Sequence, residues 1–349
     1  MANNIYLGKS NNEDVVVGPF IKPLVIAEVG VLAFGDVDRG MAFVDVAVEI
    51  GLSVIKFQSF TAENVVGSED KYWLERLKQR ELTMEKFLQI KKYAQSKGLI
   101  CFATTHNEYD ILELVKRGMS IIKIGSGDSN NTRMIDMALT TGNPVIVSLG
   151  LLKREDRFRI LEKYRNFSNQ IIFLHCVTLY PVEPKQAALH VIDEMREFFP
   201  EYNIGYSDHT IGTAVPLASI SKGVSVIEKH ICLDQDKVSP PFESMDITVA
   251  ITPKEMKKFL NDIDDVYDAL TVKEDESVFK KNTSWAQKSI IARRDIEEGA
   301  IIKPDDLESR RPYHPEKGHI SIADFDGVSG KIASELISKG TFITKKHFK

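Results

Sequence analysis

From residue 23 onward, short apolar runs rich in β-branched residues alternate with longer stretches of helical periodicity. The runs are LVIAEV (24–29), SVIKFQ (53–58), LICFAT (99–104), IIKIG (121–125), PVIVS (144–148), IIFLHC (171–176), NIGYS (203–207) and SVIEKH (225–230). The stretches between them, such as 40–51, 83–98 and 212–223, carry apolar residues at three- and four-residue spacing and end in Gly, as helices often do. This alternation predicts eight strands and about eight helices, arranged as βα units around a parallel sheet.

Every one of these runs ends in polar or ionisable residues. In chain order they are Glu28; Lys56 and Gln58; Thr104 and Thr105; Lys123 and Ser126; Ser148; His175, Thr178 and Tyr180; Ser207, Asp208 and His209; and Glu228, Lys229 and His230. An open doubly wound sheet can hold as many strands, but it would concentrate such groups near one topological switch point. A (β/α)8 barrel collects all the carboxyl ends on one face. We therefore predict an α/β fold, a TIM barrel, over residues 23–272.

The segments outside the barrel differ from it in pattern. Residues 1–22 contain the alternating run VVVGPFI and are predicted to form a hairpin that caps the bottom of the barrel. The charged stretch 273–288 is predicted to be a linker. Residues 289–349 carry short strand-like runs, with Pro304 opening a possible helix, and predict a small second domain. A domain of about 61 residues has a marginal core, so we expect it to pack against a barrel, its own or a partner's.

Composition narrows the classes of partner and location. The chain has 45 Lys and Arg against 50 Asp and Glu, a net charge of −5, and no basic run of five, which argues against nucleic acid. Cys101, Cys176 and Cys232 lie far apart and form no CxxC pair, so neither a disulfide framework nor a thiolate zinc site is predicted. No run approaches the roughly 18 apolar residues of a spanning helix. We expect a cytoplasmic protein with no membrane role.

His209 and His230 end the last two predicted strands, which are neighbours in a barrel. Imidazole suits divalent transition metals, and two histidines leave open positions at which a metal can polarise a carbonyl. The alternative is that each histidine only hydrogen-bonds a neighbour. Glu28 lies next to the last strand after barrel closure, which strengthens the metal hypothesis, and both interpretations stay open.

A second group of mouth residues is cationic or carries hydroxyls: Lys56, Lys123, Lys229, Ser126, Ser148 and Ser207. Such groups predict a cradle for phosphate or carboxylate. The segment IKIGSGD (122–128) adds a small turn that lets backbone approach an anion, although such turns often only reverse the chain. A strand lysine could instead form a Schiff base, as in aldolase barrels.

A third group is polar and mostly neutral: Gln58, Asp128, Thr178 and Tyr180. These side chains can hydrogen-bond a sugar, although a solvated loop rim would have the same composition. Together the three groups predict a site for an anionic, phosphorylated compound, a metal-polarised carbonyl and a hydroxyl-rich partner.

Several longer runs resemble the sialic acid synthase family. They are VIAEVG (25–30), VIKFQ (54–58), IKIGSGDSNN (122–131), LHCVTLYPV (174–182), IGYSDHTIG (204–212) and VIEKHICLD (226–234), followed by ARRDIEEGAII and the RRP at 310–312. The likeness covers nearly the whole chain in the same order, and members of this family make N-acetylneuraminate, legionaminate and pseudaminate. The resemblance implies a TIM barrel followed by an antifreeze-like SAF domain, in a domain-swapped homodimer whose small domain covers the partner's barrel mouth.

The resemblance also implies a reaction. Phosphoenolpyruvate condenses with an open-chain N-acetylated hexose such as N-acetylmannosamine, water adds, and phosphate leaves by C–O cleavage. His209 and His230 match ligands of a divalent metal, Mn2+ first and Mg2+ or Co2+ as alternatives. Glu28 matches a carboxylate near the reacting carbons that handles a proton or orients water.

The same resemblance assigns binding residues. Those of the phosphoenolpyruvate cradle are Lys56, which is also counted as catalytic, Thr104, Lys123, Ser126, Ser148 and Ser207. Those of the acceptor sugar are Gln58, Asp128, Thr178, Tyr180, Asp246 and, across the dimer, Arg311.

This chain departs from the family pattern in the acceptor region. GVLAFGD (30–36) replaces the usual Gly-x-Asn-His, so that Val31, Leu32 and Ala33 are expected to form an apolar loop at the mouth. Asp128 stands where many members have the longer Glu. The segment 239–253 replaces a Gly-Pro-Asp phrase but keeps an acid at Asp246. We expect the reaction type to survive these changes better than the substrate.

Two other functions stay open. One is a Schiff-base pyruvate aldolase that uses Lys56 or Lys123. The other is a non-catalytic carbohydrate- or surface-binding protein with a degenerate barrel, against which the ionisable groups at nearly every strand end argue.

Overall fold

The computed structural model describes residues 2–239 and 243–349. The chain divides into two compact units, Met1–Thr271 and Val272–Lys349.

The first unit contains a closed barrel of parallel strands. They are β3 (Leu24–Gly30), β4 (Val54–Gln58), β5 (Ile100–Thr104), β6 (Ile122–Ile124), β7 (Val145–Ser148), β8 (Ile171–Cys176), β9 (Asn203–Asp208) and β10 (Val226–His230). They pair in chain order, and β10 closes on β3 with His230 opposite Glu28. The predicted TIM barrel is therefore confirmed, and each predicted run coincides with one strand.

Helices follow the strands around the barrel. They are α1 (Val37–Ile50), α2 (Ala62–Val65), α3 (Lys71–Lys78), α4 (Met84–Ser96), α5 (Glu108–Lys116), α6 (Thr132–Thr140), α7 (Arg154–Lys163), α8 (His190–Phe198), α9 (Ala214–Ile220), α10 (Met245–Val249) and α11 (Pro253–Thr271). Local sequence sets their ends: Asp36 caps the first turn of α1 by accepting from the Arg39 amide, and Gly51 ends the helix at φ 84°. Apolar faces of these helices, such as Phe43 and Phe87, pack with strand residues in one core.

The amino-terminal segment forms the predicted hairpin from β1 (Ile5–Ser10) and β2 (Glu13–Val17), paired antiparallel. The Asn11 amide and the Ser10 hydroxyl both donate to the Gly98 carbonyl at 2.9 Å. Gly98 lies just before β5 begins. The hairpin therefore packs at the amino ends of the strands, opposite the mouth.

The second unit has its own small core, which includes Ile290, Ile302 and Ile343. Its elements are α12 (Glu276–Ala286), β11 (Ser289–Ala292), β12 (Leu307–Arg310) and α13 (Phe325–Val328), with β11 and β12 antiparallel. Most of the segment predicted as a linker is thus helical. Pro304 begins a single 3-10 turn, Pro304–Asp306, rather than a longer helix.

Within the described residues, none of the helices combines the length and the apolar content needed to cross a membrane.

Candidate active site

The two-residue period of a strand decides which side chains enter the mouth of the barrel. On β10, Glu228 and His230 line the cavity at the carboxyl ends of the strands. Lys229 between them points outward, where its Nζ lies 2.6 Å from Asp208 Oδ2 in a fully buried ion pair. Lys229 is therefore not part of the cationic cradle, contrary to expectation.

The floor of the cavity is a buried ion cluster around Lys56. Its Nζ lies 2.6 Å from Glu28 Oε2 and 3.1 Å from Glu228 Oε2, and it donates to Thr104 Oγ1 at 3.1 Å. Burial alone would lower the pKa of Lys56, but the two carboxylates outweigh burial and raise it. Lys56 is therefore held as an ammonium.

The two carboxylates of the floor differ in protonation. Burial raises the pKa of Glu28 to about 7, although Lys56 opposes the shift. Burial also disfavours the charge of Glu228, but Lys123 and Lys56 outweigh this and hold its pKa well below the ordinary value. Glu28 is thus the carboxylate that can gain or lose a proton near neutral pH.

A second lysine lies beside this cluster. Lys123 Nζ donates to Ser148 Oγ at 2.8 Å and to the Ile124 carbonyl at 3.0 Å. Burial lowers its pKa to about 8, which the charges of the two glutamates only partly offset. Ser207 Oγ donates to Glu228 Oε1 at 2.9 Å.

The turn after β6 completes the predicted cradle. The Gly150 amide donates to Ser126 Oγ at 3.1 Å. This hydrogen bond connects the loop after β7, which contains Gly150, to the turn after β6, which contains Ser126. All six residues predicted for the phosphoenolpyruvate cradle line the cavity: Lys56, Thr104, Lys123, Ser126, Ser148 and Ser207.

His209 and His230 lie side by side in the cavity, with ring centroids 5.5 Å apart. His209 Nδ1 lies 2.8 Å from the Val177 carbonyl, which leaves Nε2 for a ligand. His230 Nδ1 is buried without a hydrogen-bond partner among the described residues, and burial holds the pKa of His230 well below its ordinary value. These are features of residues that fit a divalent metal.

A metal at this position would need further ligands. Across the described residues, no group of three or more His, Cys, Asp or Glu side chains is arranged to hold one. Water or substrate oxygens would complete the coordination. The neighbouring Cys176 sulfur, 3.8 Å from His209 Nδ1, helps to raise the pKa of His209 to about 9 against the effect of burial, so metal binding there would release a proton.

The predicted acceptor residues are divided between the cavity and its surroundings. Gln58, Thr178 and Tyr180 line the cavity, and the Tyr180 ring lies 4.1 Å from the His209 ring between centroids. Asp246 lies outside the lining, where its Oδ2 accepts from the Val31 amide at 3.2 Å and lies 4.0 Å from His230 Nδ1. Residues 240–242 of the departing segment 239–253 lie outside the described residues.

Asp128 also lies outside the lining, next to His106. His106 lines the cavity, and its Nδ1 lies 3.4 Å from Asp128 Oδ2. Arg311 belongs to the second unit, where its guanidinium lies over the Trp285 ring at 5.6 Å.

The expected apolar loop directly follows the carboxyl end of β3, and two of its three side chains are buried. Leu32 and Ala33 are buried in the barrel core. Val31 is half-buried, and its amide donates to Asp246 Oδ2.

The assignments from sequence omitted Glu228, Cys176 and His106, all of which line the cavity. Strand periodicity could have found the first two, because Glu228 lies two residues before His230 and Cys176 two before Thr178. His106 lies two residues after Thr104, just beyond the end of β5, so the same spacing also marks it.

Residues 43–275 match the NeuB family, and residues 287–349 match the SAF domain. An uncharacterised protein of Methanocaldococcus jannaschii is 32% identical over 304 residues, which cover 86% of this chain and 88% of that protein. The N,N'-diacetyllegionaminic acid synthase of Campylobacter jejuni is 28% identical over 333 residues, which cover 90% of this chain and 96% of that synthase. Among solved structures, the N-acetylneuraminic acid (sialic acid) synthetase of Leptospira borgpetersenii in complex with citrate has a TM-score of 0.71 at 26% identity, over 80% of this chain and 96% of that chain.

The fold and these matches define a class: TIM-barrel enzymes of carbohydrate biosynthesis that carry a carboxyl-terminal SAF domain. Within that class the chain belongs to the NeuB family, the family of sialic acid and related nonulosonic acid synthases. The resemblance seen in the sequence is confirmed.

Proposed function

We propose that this protein condenses phosphoenolpyruvate with an open-chain N-acetylated hexose, in a metal-dependent reaction that yields a nonulosonic acid and phosphate. One observation supports this above the others. The cavity has a buried floor of hydroxyls, two glutamates that pair with Lys56, and a second lysine, Lys123, directly beside two imidazoles that fit a metal. The floor suits the anionic enol donor, and the imidazoles suit the carbonyl acceptor.

The proposed chemistry begins with positioning of the donor. Lys123, Ser126 and Ser148 would hold phosphoenolpyruvate on the floor. C3 of the enol attacks the acceptor aldehyde carbon: the C2=C3 and C=O double bonds become single bonds, the new C–C bond forms, and the aldehyde oxygen takes up a proton. Water adds to C2, and the C2–O bond to phosphate then breaks. Glu28, with its raised pKa, would accept the proton from that water or orient it.

His209 and His230 would hold a divalent metal, Mn2+ first and Mg2+ or Co2+ as alternatives. When bound it supplies Lewis-acid polarisation of the aldehyde. The metal requirement predicts that His209→Ala and His230→Ala abolish Mn2+ binding, measured by electron paramagnetic resonance, while circular dichroism stays unchanged.

His175→Ala is the matched control for these variants. His175 is buried, but its Nε2 lies 2.7 Å from the Ala187 carbonyl and it does not line the cavity. This variant should lose stability and keep its Mn2+. Full activity of His209→Ala in the presence of EDTA would contradict the metal role.

We also propose that the protein works as a homodimer in which the SAF unit of one chain serves the barrel of its partner. This rests on the resemblance to the family, in which Arg311 matches an arginine that reaches the N-acyl group.

A Schiff-base pyruvate aldolase is a second candidate, because burial lowers the pKa of the Lys123 amine. Lys56 is a poor nucleophile for this reaction, since two carboxylates hold it charged.

One assay separates the two reactions. The purified protein is incubated with phosphoenolpyruvate, Mn2+ and separate N-acetylated hexoses, and phosphate release is measured with product identification by mass. Phosphate release that EDTA abolishes supports the synthase. Covalent trapping of pyruvate on Lys123 by borohydride, without phosphate release, would support the aldolase instead.

A further inference from the structure

His106 and Asp128 form a pair at the rim of the cavity. His106 follows β5 by two residues, and Asp128 ends the 3-10 turn after β6. Their side chains are 25% and 23% exposed, whereas Lys56 and Lys123 on the floor are 3% and 2% exposed as residues. The pair therefore lies above the anion cradle, on the side from which an acceptor enters.

The His106 ring is held from two directions. Its Nδ1 lies 3.4 Å from Asp128 Oδ2, and the ring packs edge-on against buried Phe60 at 5.8 Å between centroids. A carboxylate only accepts hydrogen bonds, so Nδ1 is the donor and Nε2 is the ring nitrogen left for a ligand. Asp128 acts through His106, because only His106 lines the cavity.

The charge of this rim selects among ligands. Lys56 and Lys123 are the only lysines or arginines among the described residues that line the cavity, and both belong to the floor. At the rim, the nearest formal charge to His106 is the Asp128 carboxylate. Within this lining, a second phosphate on the acceptor would find no lysine or arginine beyond the two of the floor, and the Asp128 carboxylate would repel it.

We infer that His106, positioned by Asp128, is a specificity residue for the acceptor: the pair selects an unphosphorylated N-acetylated hexose and hydrogen-bonds one of its hydroxyl or amide groups. This inference rests on the proposed function. It assigns to His106 the contact that the sequence had assigned to Asp128.

The test compares acceptors in the full-length protein. They are N-acetylmannosamine, a 2,4-diacetamido-2,4,6-trideoxyhexose and N-acetylmannosamine 6-phosphate, each with phosphoenolpyruvate and Mn2+. The wild type should prefer the better unphosphorylated acceptor over the phosphorylated one by about tenfold or more in kcat/KM. Asp128→Asn should reduce that ratio, because it removes the repelling charge.

His106→Phe keeps a ring against Phe60 and removes the ligand nitrogen. The KM for the acceptor should rise roughly three- to tenfold, the value of a neutral hydrogen bond, while the KM for phosphoenolpyruvate stays constant. His106→Gln keeps hydrogen-bonding capacity and should restore much of the affinity. His190→Phe, at the exposed start of α8, is the control for the substitution and should behave as wild type.

The inference is overturned if the wild type uses the 6-phosphate equally well, or if His106→Phe changes the KM for phosphoenolpyruvate instead of the acceptor. Absence of phosphate release with every acceptor would overturn the proposed function itself, and the inference with it.

Discussion

Lys229 and Lys123 are both buried lysines of barrel strands, but their surroundings give them opposite roles. Lys229 forms a closed ion pair with Asp208 and also donates to the Thr210 carbonyl at 2.6 Å. Lys123 faces the cavity and has a hydroxyl and a carbonyl as its hydrogen-bond acceptors. One lysine therefore stabilises the fold, and the other is available to an anion.

Lys229→Met should lower the free energy of unfolding by about 3–5 kcal/mol, because it leaves Asp208 buried without its counter-charge. Urea denaturation measures the loss. In the folded fraction of Lys229→Met, the KM for phosphoenolpyruvate should stay near the wild-type value. In Lys123→Met, the KM for phosphoenolpyruvate should rise. Lys97→Met, at an exposed lysine, controls for the substitution. Loss of phosphoenolpyruvate binding in Lys229→Met without loss of stability would contradict the outward placement.

At the scale of elements, the loops after β6 and β7 meet through a glycine. A Cβ on Gly150 would clash with Thr178 Oγ1 and lie 2.8 Å from Ser126 Oγ, so the bare backbone permits the contact between these loops. The Gly150 amide then donates to Ser126, which orients the serine within the cradle. The shape of the anion site thus depends on the packing of two loops, not only on its lysines.

Gly150→Ala should raise the KM for phosphoenolpyruvate and lower the free energy of unfolding by about 1–3 kcal/mol, as overpacking usually does. Gly127→Ala is a matched control in the same region, because a Cβ there has no neighbour within 4 Å. Steady-state kinetics and urea denaturation of both variants provide the measurement. Equal effects of the two substitutions would show that close packing at Gly150 is not what shapes the site.

At the scale of the whole molecule, the second unit has its own hydrophobic core, but this core contains few residues. Units of this size are marginal when isolated, which agrees with a role in an assembly. Arg311 belongs to this unit, and the residues that fit a metal belong to the first.

The proposed dimer predicts complementation, at a low acceptor concentration, between a variant without metal ligands and a variant with weakened acceptor binding. The His209→Ala chain has an inactive barrel and an intact Arg311. The Arg311→Ala chain has an intact barrel and lacks the arginine. Random mixing of co-expressed chains should restore about a quarter of the sites, because half of the dimers are mixed and each holds one intact site. Phosphate release by the mixture, compared with each variant alone, is the measurement. If light scattering confirms a dimer but the mixture releases no more phosphate than the separate variants, the result would argue against a shared site.

Local periodicity was enough to predict the barrel and most of its mouth. A strand alternates its side chains with a period of two, so the sequence places Lys56, Ser207 and His230 on the inner face once the strands are recognised. The polar ends of all the strands then favoured the closed barrel over an open sheet. Family resemblance added the reaction, which composition and spacing left undecided.

The partners of these side chains were decided only by tertiary structure. Lys56 lies between Glu28 and Glu228, which are separated by most of the chain and meet because β10 pairs with β3. The sequence pattern does not show that Leu32 is buried in the core or that Asp128 contacts His106, because both depend on how the loops pack. The sequence by itself therefore determined the architecture and which residue types lie at the mouth of the barrel. Closure of the barrel decided which of the charged side chains are paired and which remain free for a substrate.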